Sequence, residues 1–136
     1  MDFILNNQRI NLERAVFNRV APIQTSNGFK VIVSDEVKDL RVGNGDVEFK
    51  YVRNVRLDPN ALFVVSVEFL YKATFDESLP RDKVEKTITK EIELVINRTT
   101  MPSVASQIVA NLTAINGGAP LVVNPSFVRA TKGENI

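Results

Sequence analysis

The side chains of this sequence that come closest to a catalytic arrangement are carboxylates. Three pairs of acidic residues stand close together in the chain: Asp35/Glu36, Asp76/Glu77 and Glu91/Glu93. Acid–base or metal-assisted catalysis needs a nucleophile, a base or further metal ligands near such a pair, and the sequence shows no such arrangement. The last pair, two residues apart, would lie on one face of a strand, which is typical of a solvated stripe. We therefore predict that the protein is not an enzyme.

The composition excludes several other kinds of chemistry. The 136 residues include no His and no Cys, which removes imidazole bases, thiol nucleophiles, disulfides and zinc–thiolate sites. The glycine turn at residues 43–46 lacks the Lys-Ser/Thr pair and the following helix of a phosphate-binding loop. We predict that the protein uses neither a metal ion nor a cofactor.

Charge and hydropathy exclude two classes of partner. The chain has 17 Lys+Arg and 16 Asp+Glu, a formal net charge of +1 at pH 7, and no half is basic enough to predict a nucleic-acid partner. Its aromatic residues alternate with polar ones beside Val and Leu, which favours a core over base stacking. The longest uncharged stretch, 99–128, is interrupted far short of the roughly 20 apolar residues that span a bilayer. Since the N-terminus also lacks a signal-peptide pattern, we predict a cytoplasmic protein without membrane insertion.

Since no catalytic chemistry is predicted, function must depend on the surfaces that the secondary-structure elements form. Alternation of apolar and polar residues with a period of two predicts long antiparallel strands. The strongest run covers residues 63–75, and in the run before it Val52 and Arg53 break the alternation. A bulge or a bend is expected in the first run, which ends before Pro22. The runs that predict strands are 10–20, 29–33, 47–57, 63–75 and, after a loop at 76–82, 84–96.

The period changes near residue 99 and predicts a helix. Thr99 or Thr100 can cap its start and Pro102 suits its first turn. Asn116-Gly117-Gly118 ends the helix, and an extended, proline-containing segment follows it to Phe127. The helical spacing is carried by Val104, Ile108, Val109, Leu112 and Ile115. We predict one domain over residues 1–128 and a flexible tail over 129–136.

The outer face of this helix is polar but uncharged. Its residues are Ser103, Gln107, Asn111 and Thr113. A helix exposed in a monomer normally carries several charges. Two explanations stay open: the sheet and loops cover this face, or it contacts a second copy or another protein.

The order of elements and the stretch over residues 101–127 resemble the SecB-type protein-export chaperones. The likeness lies in Met101-Pro102-Ser-Val-Ala105-Ser-Gln-Ile108-Val-Ala-Asn-Leu112 and then Gly117-Gly118-Ala-Pro120-Leu121-Val-Val-Asn-Pro125-Ser-Phe127. In that family a proline-started helix with an early Ala and a following Ile leads into Gly and a proline-containing segment. The helix-to-proline part covers about a fifth of the chain, and the strand order extends a weaker match over residues 8–128.

The resemblance implies an α+β fold in which a long-stranded, four-stranded antiparallel sheet is followed by a C-terminal helix packed on it. It also implies a homo-oligomer, dimer or tetramer, that binds non-native polypeptides without nucleotide. We interpret the chain as a divergent member of this family and expect a holdase, with export as one use. Export members are acidic, whereas this chain has a net charge of +1, so docking on a translocation motor is left open.

The resemblance places the predicted client-binding residues mainly after the helix. They are Phe17, Phe29, Pro120, Leu121, Pro125 and Phe127. Packing of the post-helix residues onto the sheet is the alternative, and Val104, Ile108 and Leu112 are expected in the core. One alternative function is a scaffold or adaptor subunit that uses the same fold to bind one specific protein. Another is a small-ligand protein or enzyme, which would need a concave pocket with convergent polar groups.

Overall fold

A computed structural model describes residues 1–129 and 134–135 and shows one antiparallel sheet covered by helices on one face. The strands are β1 (Asn6–Val20), β2 (Lys30–Val42), β3 (Asp46–Asp58), β4 (Leu62–Thr74) and a two-residue β5 (Glu134–Asn135). The helices are α1 (Arg81–Lys90), α2 (Ile92–Asn97) and α3 (Met101–Ile115). The strand order is β1-β4-β3-β2-β5, so β1 pairs with β4 and the chain crosses the sheet between β1 and β2.

Alternation along β3 and β4 builds the core as predicted. Odd-numbered residues of both strands point to the covered face, where Phe49 stacks on Tyr71 with ring centroids 4.6 Å apart. Tyr51 and Phe69 form a second cross-strand pair at 6.3 Å. Such aromatic pairs add to the free energy gained by burial alone.

The predicted glycine turn joins β2 to β3. Gly45 has φ of +96°, a conformation that strongly favours glycine. A Cβ atom on Gly45 would lie 2.6 Å from Cγ of Glu77. The Gly45 carbonyl also accepts a 2.9 Å hydrogen bond from the Phe75 N–H. The turn therefore requires glycine both for its backbone angles and for the close approach of the chain after β4.

The strand predicted over residues 84–96 is wrong, because this region forms α1 and α2. The apolar residues Val84, Ile88, Ile92 and Ile96 are four apart, so they fit a helix as well as period-2 alternation. The buried positions of the two helices are Val84, Ile88, Val95 and Ile96. Val95 and Ile96 are adjacent and both buried, which a helix allows and strict strand alternation does not. A break at Glu91 separates the two helices.

Two other strands differ from the prediction in detail. The bulge in β1 is confirmed, with register shifts between Asn6 and Arg9 and between Leu12 and Arg14. β2 extends well beyond the predicted 29–33. Alternate residues are buried as far as Asp35, and the strand continues to pair with β3 after a bulge between Lys38 and Arg41. Of the predicted tail at 129–136, residues 130–133 and 136 lie outside the described residues.

The helix α3 confirms its predicted start and end, with Pro102 in the first turn and Gly117 at φ of +97°. Its orientation differs from the prediction. The stripe that faces the core is Met101, Ala105, Val109 and Thr113. Ile108 and Leu112 are only half-buried, and Val104 is 40% exposed. The helix has two neighbouring apolar stripes, and packing on the sheet buries only one of them.

Candidate functional site

An apolar groove of about 780 Å³ opens where the end of β1 meets the residues that follow α3. We call residues 119–128 the post-helix segment. β1 and the residues after it contribute Phe17, Arg19, Val20, Ala21 and Pro22, and β4 contributes Leu62 and Phe63. The other wall consists of Thr113, Asn116, Gly117, Gly118, Ala119, Pro120 and Leu121.

The β1 side of the groove is an aromatic pair with one cation. Phe17 stacks on Phe63, with ring centroids 5.5 Å apart and planes inclined by 25°. The Arg19 guanidinium carbon lies 5.9 Å from the Phe17 ring centroid, within the range of a cation–π contact. Arg19 also donates a 3.3 Å hydrogen bond from Nη2 to the Asn116 carbonyl. The groove is therefore bridged by one long side chain and otherwise mainly apolar.

The opposite wall is held in place by Thr113. Its hydroxyl Oγ1 lies 2.9 Å from the Val109 carbonyl, to which it donates, and accepts a 2.9 Å hydrogen bond from the Leu121 N–H. The Thr113 carbonyl accepts a 3.1 Å bond from the Gly118 N–H. Because one buried side chain bonds both the helix and the chain beyond it, Thr113 fixes the direction in which the post-helix segment leaves α3.

Replacing Thr113 by Val is expected to lower the free energy of unfolding by about 1–3 kcal/mol, because the Leu121 N–H loses its acceptor. Urea denaturation measures this change. The matched control is Thr87→Val, since the Thr87 hydroxyl donates only to the Lys83 carbonyl within its own helix. Equal losses for the two variants would show that Thr113 does not anchor the post-helix segment.

A buried ion pair beneath the post-helix segment fixes its far end. Arg53 on β3 and Asp35 on β2 both have fully buried side chains. The guanidinium donates from Nε to Oδ1 at 2.9 Å and from Nη2 to Oδ2 at 2.8 Å. This bidentate geometry is the strongest form of Arg–carboxylate pairing. Burial alone would lower the pKa of Arg53, but the hydrogen bonds and charge of its neighbours raise it above its usual value.

The same guanidinium bonds α3 and the post-helix segment. It donates to Ser106 Oγ at 2.6 Å, to the Ser126 carbonyl at 2.7 Å, and to the Asn124 carbonyl. Asp35 exchanges hydrogen bonds with Val128: its N–H donates to the Val128 carbonyl, and its Oδ2 accepts from the Val128 N–H. The pair therefore connects two strands, one helix and the post-helix segment at a single buried point.

The structure brings together three of the six predicted client-binding residues. Phe17, Pro120 and Leu121 line the groove. Phe29 lies elsewhere, beside a shallow cavity of about 610 Å³ in the connection between β1 and β2.

The two remaining predicted residues lie at the far end of the post-helix segment. Phe127 is half-buried 6.1 Å from the Tyr51 ring, and its N–H donates to Asn97 Oδ1 at 2.8 Å. Pro125 is exposed between the two residues whose carbonyls Arg53 binds. For Phe127 this position agrees with the alternative of packing onto the sheet. The client-binding role of all six residues stays a prediction.

Local sequence patterns do not mark the residues that organise the groove and the segment beside it. The aromatic residues of the strands, Phe63 among them, are predicted in the core, and Thr113 is predicted on the outer face of the helix, whereas Thr113 is buried and both residues line the groove. The sequence does contain a signal for Arg53, because a charged residue interrupts the alternation of β3. Asp35 was considered only as half of a carboxylate pair, although a buried acid is expected to have a basic partner.

The other carboxylate pairs have structural contacts. Asp76 Oδ1 accepts a 2.9 Å hydrogen bond from the Ser78 N–H, and this bond lowers the pKa of Asp76. Glu93 pairs with Arg129 at 2.6 Å, and Glu91 lies 3.4 Å from the N-terminal amine. Among residues 1–129 and 134–135, no three acidic side chains cluster closely enough to hold a metal ion.

Comparisons with known proteins support the fold. No family model matches the chain, and no curated protein matches it in sequence. Among solved structures, the chain is similar to the SecB-like chaperone Rv1957 of Mycobacterium tuberculosis, in complex with a ChAD peptide from the antitoxin HigA1 (Rv1956). The TM-score is 0.65 at 12% identity, and the match covers 90% of this chain and 89% of that chain.

At this identity the likeness concerns the fold, and the predicted class is confirmed: the chain has an α+β, SecB-like fold with a long-stranded antiparallel sheet followed by helices. In the part of the chain that the structure describes, no helix is both long and apolar enough to cross a membrane. The chain therefore combines a SecB-like fold with an open apolar groove at the end of β1.

Proposed function

We propose that this chain is a cytoplasmic, nucleotide-independent, chaperone-like protein that holds an extended apolar segment of a non-native polypeptide in its groove. The observation that carries the proposal is the groove itself, with an aromatic pair on one side and the post-helix segment on the other. Keeping a client unfolded for export is one use of such an activity. The reaction is binding alone, so no catalytic group is needed.

The groove lies beside a sheet edge that suits extended chain. Within the described residues, β1 is the outermost strand on its side, and most of its side chains are exposed. An extended peptide can pair its backbone with such an edge while alternate side chains enter neighbouring pockets. Leu62 and Pro120 contribute to a pocket of this kind at the end of β1. The combination favours recognition of backbone and apolar side chains over recognition of one exact sequence.

A second candidate function is that of a scaffold or adaptor subunit that binds one specific protein. The structural neighbour is in complex with a peptide from an antitoxin. A groove of this kind can bind one specific protein as well as many unrelated unfolded chains. The two candidates differ in what they bind: a holdase protects unrelated unfolded chains, whereas an adaptor ignores them and binds one partner stoichiometrically.

We also propose that the chain forms a homo-oligomer, a dimer or tetramer. The exposed side of α2 and α3 carries three large apolar side chains, Leu94 and Val104, each 40% exposed, and Ile115, 78% exposed, beside uncharged polar residues of α3. Apolar patches of this kind mark interaction surfaces when they are contiguous. Light scattering of the purified protein tests the proposal, and a monomer at all concentrations would contradict it.

The groove is tested by suppression of the aggregation of a chemically unfolded client, titrated with the protein in the absence of nucleotide. The informative variant is Leu121→Ser, because Leu121 lines the groove. The matched control is Val122→Ser, since the next residue is 85% exposed and outside the groove lining. We expect protection near equimolar ratios, a roughly tenfold weaker effect for Leu121→Ser, which corresponds to about 1.4 kcal/mol, and no change for the control.

The outcome separates the candidate functions. If the unmodified protein protects none of several unrelated clients, the holdase is wrong and the adaptor stands. If it protects them and both variants behave alike, the client surface lies outside the groove. Circular dichroism of both variants checks that Leu121→Ser is folded, because Leu121 also packs against the core.

A further inference from the structure

The sheet face opposite the helices carries an excess of basic side chains. Residues directly opposite each other in an antiparallel pair point to the same face, so the strand register assigns this face residue by residue. The charged residues that the register assigns to this face of β1 to β4 are Arg9, Arg14, Lys30, Lys38, Arg41, Lys50, Arg56 and Lys72, against Glu36, Asp46, Glu48, Asp58 and Glu68. Basic residues therefore outnumber acidic ones by eight to five on this face, on a chain that is nearly neutral as a whole.

The excess is concentrated at one end, which we call the basic patch: Arg9, Lys38, Arg41, Lys50 and Lys72. Two pairs within it are of like charge and directly opposite each other, Arg9 with Lys72 and Lys38 with Lys50. Like charges in directly opposed positions destabilise a sheet. The basic patch therefore contains electrostatic repulsion between opposed basic side chains, which the carboxylates of this chain offset only in part.

Few acidic side chains compensate the basic patch. Glu48 is shared between Arg41 at 3.8 Å and Lys72 at 3.7 Å. Glu36 lies 3.6 Å from Lys38, and Asp46, at the same end of this face, forms no salt bridge among the described residues. Among the described residues, neither Arg9 nor Lys50 has a carboxylate within salt-bridge distance. A partner that brings negative charge to this end would relieve the repulsion and gain attraction from it.

We propose that the basic patch docks an acidic polypeptide segment of a partner protein. Its basic side chains belong to four neighbouring strands, which an extended or looped acidic chain can cross, and Leu70 between Asn11 and Lys50 offers an apolar contact. A nucleic acid fits less well, because the register places no aromatic residue of β1 to β4 on this face for base stacking. Arg9, Arg41 and Lys72 also line a cavity of about 720 Å³, together with Arg81 and the acidic residues Asp46, Glu48 and Glu85.

The basic patch is independent of the groove. The groove residues Phe17 and Phe63 lie on the helix-covered face, at the opposite end of β1 and β4. A client in the groove and an acidic partner on the basic patch would therefore occupy different faces. Failure of either proposal leaves the other intact.

The direct test is fluorescence anisotropy of a labelled oligo-glutamate peptide, titrated with the whole protein at low and at physiological salt. The variant is Lys50→Glu/Lys72→Glu, and the control Lys83→Glu/Lys86→Glu changes the net charge equally on exposed residues of α1. We expect binding that weakens with salt, at least about a tenfold loss for the first variant, and less than about a twofold change for the control. Equal losses for both variants, or no binding at low salt, would overturn the proposal.

Two further measurements complete the test. A single-stranded oligonucleotide of matched length that binds more tightly than the peptide, and responds to the same variant, would replace the acidic polypeptide by a nucleic acid. Lys50→Gln is expected to raise the urea midpoint relative to Lys86→Gln, because it removes one like-charge pair. A lower midpoint would contradict the repulsion from which the proposal starts.

Discussion

Replacing Arg53 by Met is expected to lower the free energy of unfolding by about 3–5 kcal/mol, because the variant leaves the Asp35 carboxylate buried without its charged partner. Both side chains are fully buried, so water cannot replace the lost bonds. The Ser126 carbonyl loses its Arg53 donor in the same step, and the Asn124 carbonyl keeps only its bond from Ser106 Oγ. Urea denaturation measures the loss, and Arg56→Met is the matched control, since Arg56 is exposed on the same strand.

A second variant distinguishes the buried charge from the loss of packing. Arg53→Met/Asp35→Leu removes both charges, and we expect it to recover most of the stability that the single variant loses. It still lacks the donors that hold the post-helix segment. We therefore expect the double variant to fold yet to protect clients less well than the unmodified protein. A single variant that loses less than about 1 kcal/mol would show that the pair does not organise this region.

Raising the pH from 8 to 11 is expected to destabilise the protein through Tyr71, whose pKa burial raises to about 12 from 10.0. Below pH 10 the folded and unfolded states both hold the phenol proton, and the contribution to stability is fully present. Above pH 10 the unfolded state releases the proton while the folded state retains it, so stability is lost progressively up to about pH 12. One pKa unit corresponds to about 1.4 kcal/mol, which is the loss expected at pH 11.

The matched variant is Tyr71→Phe, which lacks the titrating group. Among the described residues, the Tyr71 hydroxyl has no hydrogen-bond partner, so its removal is expected to be neutral or stabilising at pH 8. Urea denaturation at both pH values should show a loss smaller by about 1.4 kcal/mol for Tyr71→Phe. Tyr51 keeps its own raised pKa in both proteins, since burial outweighs the nearby Arg53 charge. An identical pH dependence for both proteins would contradict the assignment to Tyr71.

The sequence predicted the sheet better than the candidate site. The alternation of β3 and β4 is a local property, since each side chain's face follows from its position in the strand. The same local rule failed at residues 84–96, where apolar residues four apart satisfy two periods at once. Three of the predicted client residues do meet in the groove, whereas Phe63 and Thr113 were assigned to other surfaces because nothing local marks them as its walls.

What the sequence by itself determined is the inventory and the local geometry: no histidine or cysteine chemistry, alternating strands, a proline-started helix and its glycine stop. Strand alternation and helix ends depend on residues a few positions apart, which is why they can be predicted locally. The tertiary structure alone decided which stripe of α3 is buried, and that Arg53 meets Asp35 from the neighbouring strand. It also decided that Arg9 faces Lys72 on the open side of the sheet. These outcomes depend on strand register between residues far apart in the chain, and register is set by the packing of the whole sheet.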